Sequence, residues 1–115
     1  MWKQLIFFPI LPGKTEEWKQ FGRSFLGSRR AEYEASRRRA GLTKEVAALQ
    51  QTPMGDFAVL YGESETNPEE INRRWATSTD PFDIWFRQKV MELHGVDLAQ
   101  PPPGPPPEII HDWSG

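Results

Sequence analysis

Trp2-Lys3-Gln4-Leu5-Ile6-Phe7-Phe8-Pro9-Ile10 decides how this 115-residue chain is read. Successive residues of a strand point to opposite faces of a sheet. Here Trp2, Ile6, Phe8 and Ile10 share one parity, and Leu5 and Phe7 the other. Both faces of the strand are therefore apolar. Val46 to Leu49 and Phe57 to Tyr61 repeat the pattern. An antiparallel sheet with one wet face alternates apolar and polar residues, and these strands do not. Helices can cover one face. A chain of this length has little left for the other, so a second copy of the same sheet is the expected cover.

Moving outward from that strand, Leu11-Pro12-Gly13 is a turn signal. A first helix is expected from Lys14 or Thr15, with Thr15 as N-cap and Glu16 and Glu17 in the first turn. It should run to about Ala40, where Gly41 supplies a left-handed stop. Gly22 and Gly27 weaken it and mark places for a kink. A second strand over residues 43–51, the turn Thr52 to Asp56 and a third strand over residues 57–62 form a hairpin. Asn67-Pro68-Glu69-Glu70 opens a second helix. Thr79-Asp80-Pro81-Phe82-Asp83 opens a third, with Asp80 as cap, Asp83 at the capping-box position and Gly95 as the stop. Residues 100–107 hold six prolines and one glycine, a stiff extended arm. Glu108 to Trp113 then reads as a last strand carried back to the sheet.

The expected fold is a single α+β domain over residues 1–115. Its order is ferredoxin-like, βαββ(αα)β, a four-stranded antiparallel sheet with helices on one face. At this point the chain resembles the dimeric α+β barrel superfamily, which includes the antibiotic-biosynthesis-monooxygenase-like and stress-responsive barrel proteins. Leu11-Pro12-Gly13-Lys14 before a long first helix carries part of the likeness. Glu32-Tyr33-Glu34-Ala35-Ser36-Arg37-Arg38-Arg39-Ala40-Gly41, Pro81-Phe82-Asp83-Ile84-Trp85-Phe86 and Leu93-His94-Gly95-Val96-Asp97-Leu98 resemble an uncharacterised bacterial branch of it. The resemblance implies a homodimer whose sheets pack face to face, with a small pocket between sheet and helices. Haem-degrading members resemble one another by an Asn near the first strand and a His within the second crossover helix. This first strand has no Asn, and His94 falls at a helix end. No catalytic residue is carried over from them, and no haem or other cofactor is expected.

The chemistry-bearing candidates lie on the first helix. Trp18, Phe21, Gly22 and Phe25 define its inward stripe. Prolonged by whole turns, the stripe reaches Arg29, Glu32, Tyr33 and Ser36, which are polar where apolar residues are expected. Arg29 offers a fixed fork for an anion, with Ser36 and Trp85 beside it in a ligand site. Tyr33, Glu32 and His94 are the candidate acid–base groups. The competing reading is that Gly27 bends the helix and the cluster is an exposed or dimer-interface network. His94 can also serve as a cation at a helix C-terminus, with Asp97 as a local acceptor. Trp75, Trp85 and Trp113 either floor an aromatic pocket or fill the core.

Two functions follow, and neither is forced. One is a small-molecule-binding barrel that performs cofactor-independent oxidation or isomerisation of a small, anionic organic ligand. The other is a non-catalytic dimeric sensor or stress-related protein. Residues 14–40 carry eight Lys/Arg against four Glu, whereas the rest has six Lys/Arg against twelve Asp/Glu. That basic segment would suit a polyanion only if Arg30, Arg37, Arg38 and Arg39 formed one exposed stripe. The net charge of −2 and the lack of a recognised binding motif disfavour nucleic acid. No metal site is expected, because neither His has a ligand-spaced partner. No apolar run approaches the ~20 residues of a membrane span. The absence of Cys and of a signal-like leader points to the cytoplasm.

Overall fold

A computed structural model describes residues 1–102 and 104–115. The chain runs β1 (Trp2–Pro9), α1 (Thr15–Ser24), α2 (Arg30–Ala40), β2 (Leu42–Thr52), β3 (Gly55–Ser64), α3 (Pro68–Thr77) and α4 (Pro81–His94). The fold is α+β. Its sheet is antiparallel, three-stranded among the described residues, in the order β1-β3-β2. Register is set by Phe7 opposite Val59 and Val59 opposite Ala48.

Four expectations are corrected. The four-stranded ferredoxin-like sheet is not formed, because Glu108 to Trp113 joins no ladder. The run before it is rich in proline, which has no N–H to donate, so pairing cannot propagate into the segment. What holds the segment is a side-chain tether, Lys3 Nζ to Asp112 Oδ2 at 2.8 Å. The expectation of an extended arm falls partly on Pro103, which lies outside the described residues.

The long first helix is two helices. The chain leaves α1 after Ser24 through a series of tight turns, and the Arg29 amide bonds back to the Ser24 carbonyl at 2.9 Å. Gly27 sits in the middle of this break, where helix propensity is poorest. Thr15 is the first helical residue rather than the cap; its hydroxyl donates to Asp56 at 2.6 Å. Asp83 is no capping-box acid either, since its carboxylate is spent on Ser36, Ser78 and Arg39.

The remaining punctuation follows local chemistry. Asn67 and Asp80 cap α3 and α4 by accepting from the amides two residues on, with Pro at the first helical position of each. Gly41 ends α2 at φ +92°, and a Cβ there would overlap the Thr66 side chain.

Facing residues in an antiparallel pair share a side, which separates the two sheet faces. Phe8, Ala58 and Leu49 lie on one side with Gln4, Gly62 and Glu45. Phe8 packs on His94 of α4, and Glu45 bonds to side chains of α2, so this is the helix side. The core lies there: Ala40, Leu42 and Ile71 cluster with Trp75, while Phe21 and Phe82 are buried among Phe25, Trp85 and Phe86. The other side carries Leu5, Phe7, Val46, Ala48, Phe57, Val59 and Tyr61. Among the described residues no helix rests on it. Phe7 is 51% exposed and Val46 48%, although Phe7 stacks on Phe57 with ring centroids 4.7 Å apart.

Candidate functional site

α2 restarts its own phase after the break. Tyr33, Ser36, Arg37 and Ala40, spaced three, four and seven residues from the first, form its inward stripe. Tyr33 and Ser36 also lie on the stripe continued from α1, and Arg37 and Ala40 complete the new one in place of Arg29 and Glu32. Arg37 therefore turns in and Glu32 turns out.

Arg37 is the centre of the site. Its side chain is 7% exposed, and its Nε donates to Glu45 Oε1 at 3.1 Å. Its guanidinium carbon lies 4.5 Å from the Phe86 ring centroid, 4.7 Å from Tyr33 and 4.8 Å from Trp75. The planar cation is thus packed among aromatic faces and neutralised by one carboxylate. The Tyr33 hydroxyl donates to the same Glu45 oxygen at 2.5 Å. Burial pushes the Tyr33 phenol well above its ordinary range, and the Glu45 charge adds to the effect. Tyr33 stays protonated as a donor and has no route to serve as a base near neutral pH.

A second carboxylate closes the network. Arg37 Nη1 donates to Ser36 Oγ at 3.2 Å, and the Ser36 hydroxyl in turn donates a hydrogen bond to Asp83 Oδ1 at 2.5 Å. Asp83 also accepts from Ser78 Oγ at 2.6 Å and Arg39 Nη2 at 3.2 Å. Burial alone would raise the Asp83 pKa, but the bonds from Ser36, Ser78 and Arg39 outweigh it and hold the carboxyl below its usual range. Arg39 in turn reaches Asp80 at 3.1 Å. A continuous chain of bonds thus links β2, α2 and the start of α4.

The sequence candidates are split by this geometry. Tyr33 and Ser36 are members of the network. Arg29 lies 3.8 Å over the Trp85 ring and pairs with exposed Glu32 at 3.3 Å. His94 is elsewhere, against β1 at the opposite edge of the sheet from Glu45. Its Nδ1 is 2.8 Å from the Pro9 carbonyl oxygen, an atom that can only accept, so Nδ1 carries the proton. Burial pushes the His94 pKa down despite that bond, which makes it a neutral core residue rather than a helix-end cation.

Arg37, Glu45 and Asp83 are the functional-looking residues that the helical stripe missed. The signal for Arg37 was Gly27, had the helical phase been restarted after it; that phase says nothing of Glu45 on β2 or Asp83 on α4.

Two open clefts flank the network. One of about 250 Å³ is lined by Ser36, Arg39, Arg74, Trp75, Ser78 and Asp83. Trp75 Nε1 is buried without a hydrogen-bond partner. A second, of about 410 Å³, has Glu32, Ala35, Arg39, Asp80 and Phe82 on its walls. Arg39 stands between the two. The arginines form no single exposed stripe: Arg37 is buried, while Arg30 and Arg38 both pair with Glu34. Among the described residues no three His, Asp or Glu side chains gather in metal-binding geometry, and no helix is long and apolar enough to cross a membrane.

Neither a family model nor any curated protein or solved structure matches the chain.

Proposed function

We propose that this protein is a non-catalytic homodimer, built as the resemblance to the dimeric α+β barrels implies, in which two copies pack their open sheet faces together. The observation that carries this reading is the uncovered side of the sheet, where Phe7, Val46 and their apolar neighbours face solvent in a single copy. A contiguous apolar sheet face of this kind is stable in water when another surface removes it from solvent. A two-fold contact would do so with one patch used twice. The non-catalytic part rests on the Arg37 network. Its acid–base groups are all committed to one another, and His94 lies outside it. Support for cofactor-independent oxidation or isomerisation is correspondingly weaker, since that chemistry needs an acid or base free to meet a substrate. Sedimentation equilibrium tests the dimer. The wild type is expected to run at twice its chain mass, and Phe7→Arg at the chain mass with an unchanged circular dichroism spectrum. A wild-type protein that stays monomeric at high concentration would end this reading.

A second reading is ligand sensing at the smaller cleft, and one observation favours it. Trp75 Nε1 is a buried donor with no acceptor, a group that costs about 1–3 kcal/mol when left unsatisfied. Once the Trp75 ring turns Nε1 into the cleft, a small organic molecule with an acceptor oxygen, such as a carboxylate held also by Arg39 or Arg74, would relieve it. In a thermal-shift screen of small carboxylates, a hit is expected to stabilise the wild type and not Trp75→Phe. Equal stabilisation of both proteins would place the ligand elsewhere.

A further inference from the structure

Pro101-Pro102-Pro103 and Pro105-Pro106-Pro107, separated only by Gly104, form a motif that neither the Arg37 network nor the sheet uses. Among the described residues, 101, 102 and 104–107 are exposed and lie outside every helix and strand. The folded protein leaves these rings in solvent, but the ribosome has to join them. Peptide transfer brings an incoming amine to the ester that holds the growing chain. The nitrogen attacks the ester carbonyl, a C–N bond forms, the ester C–O bond breaks, and the nitrogen's proton ends on the released tRNA hydroxyl. For proline the nucleophile is a secondary amine closed into a ring, and the ring locks φ of the residue already joined. Neither partner turns freely to reach the attack geometry, on which the rate of such a step depends. Proline-to-proline transfer is therefore slow, and each run requires two in succession.

We propose that synthesis of this protein halts within residues 101–107, and that it passes at a useful rate only with a polyproline-specific elongation factor, one that enters the ribosome beside the peptidyl-tRNA and holds the prolyl ester in line for attack. The fold makes the halt matter. An exit tunnel of about 100 Å encloses about 30 residues of extended chain, so with Pro102 just joined everything after roughly residue 70 is still inside. That includes all of α4 and most of α3. Phe21 then has neither Trp85 nor Phe86, Arg37 lacks Trp75 and Phe86, Ser36 lacks Asp83, and Phe8 lacks His94. A halted chain is thus not yet this fold, because the helix side of its sheet is still open. Folded protein comes only from passage through the run, and its amount follows the supply of the factor.

The test translates the full-length message in a reconstituted system, with and without that factor, and maps ribosome positions by primer extension. Without the factor the wild type is expected to dwell at codons 101–107 on the order of ten-fold longer than at neighbouring codons, the slowing that a rise of about 1.4 kcal/mol in one activation free energy produces. Adding the factor should abolish the dwell. Pro102→Ala combined with Pro106→Ala leaves no two prolines of the run adjacent and should pass without a pause in either condition. A message with every proline codon of the run replaced by a synonym should pause as the wild type does, since the obstacle is the residue. The readout is ribosome position and does not depend on how the variant folds. Even elongation of the wild type without the factor would overturn the proposal. So would a pause that the factor does not shorten, that the synonymous message loses, or that the double variant keeps.

Discussion

The two faces of one three-stranded sheet are both apolar in sequence, yet they are finished in different ways. The helix side is closed by all four helices and contains, amid its aromatic rings, the buried Arg37–Glu45 pair. The open side has no charge at its centre and no cover of its own, and Phe7 and Val46 remain about half exposed. Apolar parity says that a face leaves water. It does not say whether the cover is the same chain or another, nor whether the filling is hydrocarbon or an enclosed ion pair.

The strongest way to break the comparison is to remove the ion from the covered side. Arg37→Ala leaves Glu45 partly buried with Tyr33 alone for company and empties the space among Tyr33, Trp75 and Phe86. Breaking one partner of a buried pair costs about 3–5 kcal/mol. Urea denaturation is expected to show a loss of that order. Arg37→Met combined with Glu45→Gln should recover much of it, because the aromatic box is refilled and no unpaired charge remains. A loss below about 1 kcal/mol for Arg37→Ala would mean that the network is solvent-like and its packing incidental.

The corresponding cut on the open side is Phe7→Arg. Inside one protomer it should be nearly neutral, since the side chain is half exposed already. Between protomers it should be severe, on the order of 2 kcal/mol or more per interface, as for a central aromatic anchor. The contrast sharpens the comparison: one substitution destabilises the chain at any concentration, and the other separates chains that stay folded. If Phe7→Arg instead lowers stability at a concentration where the wild type is monomeric, the open side is sealed by its own chain.

Much of the frame was legible in the sequence. The three strands, the Asn67 and Asp80 caps and the Gly41 and Gly95 stops depend on local backbone chemistry that residue types declare. What was lost depended on phase and on long-range choice. The break near Gly27 turned α2 so that Arg37 joined Tyr33 and Ser36 at inward positions while Glu32 left them. Asp83 looked like a local cap because Asp80-Pro81-Phe82-Asp83 fits that pattern. Two of its actual partners, Ser36 and Arg39, are more than forty residues away and invisible to spacing. The strand expected at residues 108–113 failed for a related reason: β-propensity describes a segment, whereas a ladder needs backbone brought into register, and this segment meets β1 through the Lys3–Asp112 side-chain pair.

His94 offers the finest test, because it joins the covered side to the edge strand without belonging to the Arg37 network. It donates from Nδ1 to the Pro9 carbonyl and packs on Phe8, and burial lowers its pKa below the ordinary His value of 6.5. The sign of the pH effect follows. In the window between the lowered folded pKa and 6.5 the unfolded chain binds more protons than the folded one, so stability falls as pH falls through it. The slope from this one site is at most about 1.4 kcal/mol per pH unit, and it vanishes above pH 6.5, where both states are neutral, and below the folded pKa, where both are charged. His94→Gln can keep an N–H for Pro9 and has nothing to titrate. It is expected to cost on the order of 1 kcal/mol at pH 7.5, through imperfect packing on Phe8, and to flatten the stability profile just below pH 6.5. Asp83, whose carboxyl is held low by its three donors, should still draw stability down at more acidic pH in both proteins, as protonation removes its bonds from Ser36, Ser78 and Arg39. Equal slopes for wild type and His94→Gln between pH 5.5 and 6.5 would show that His94 is solvated, and the contact between α4 and β1 would then be looser than the 2.8 Å bond to Pro9 implies.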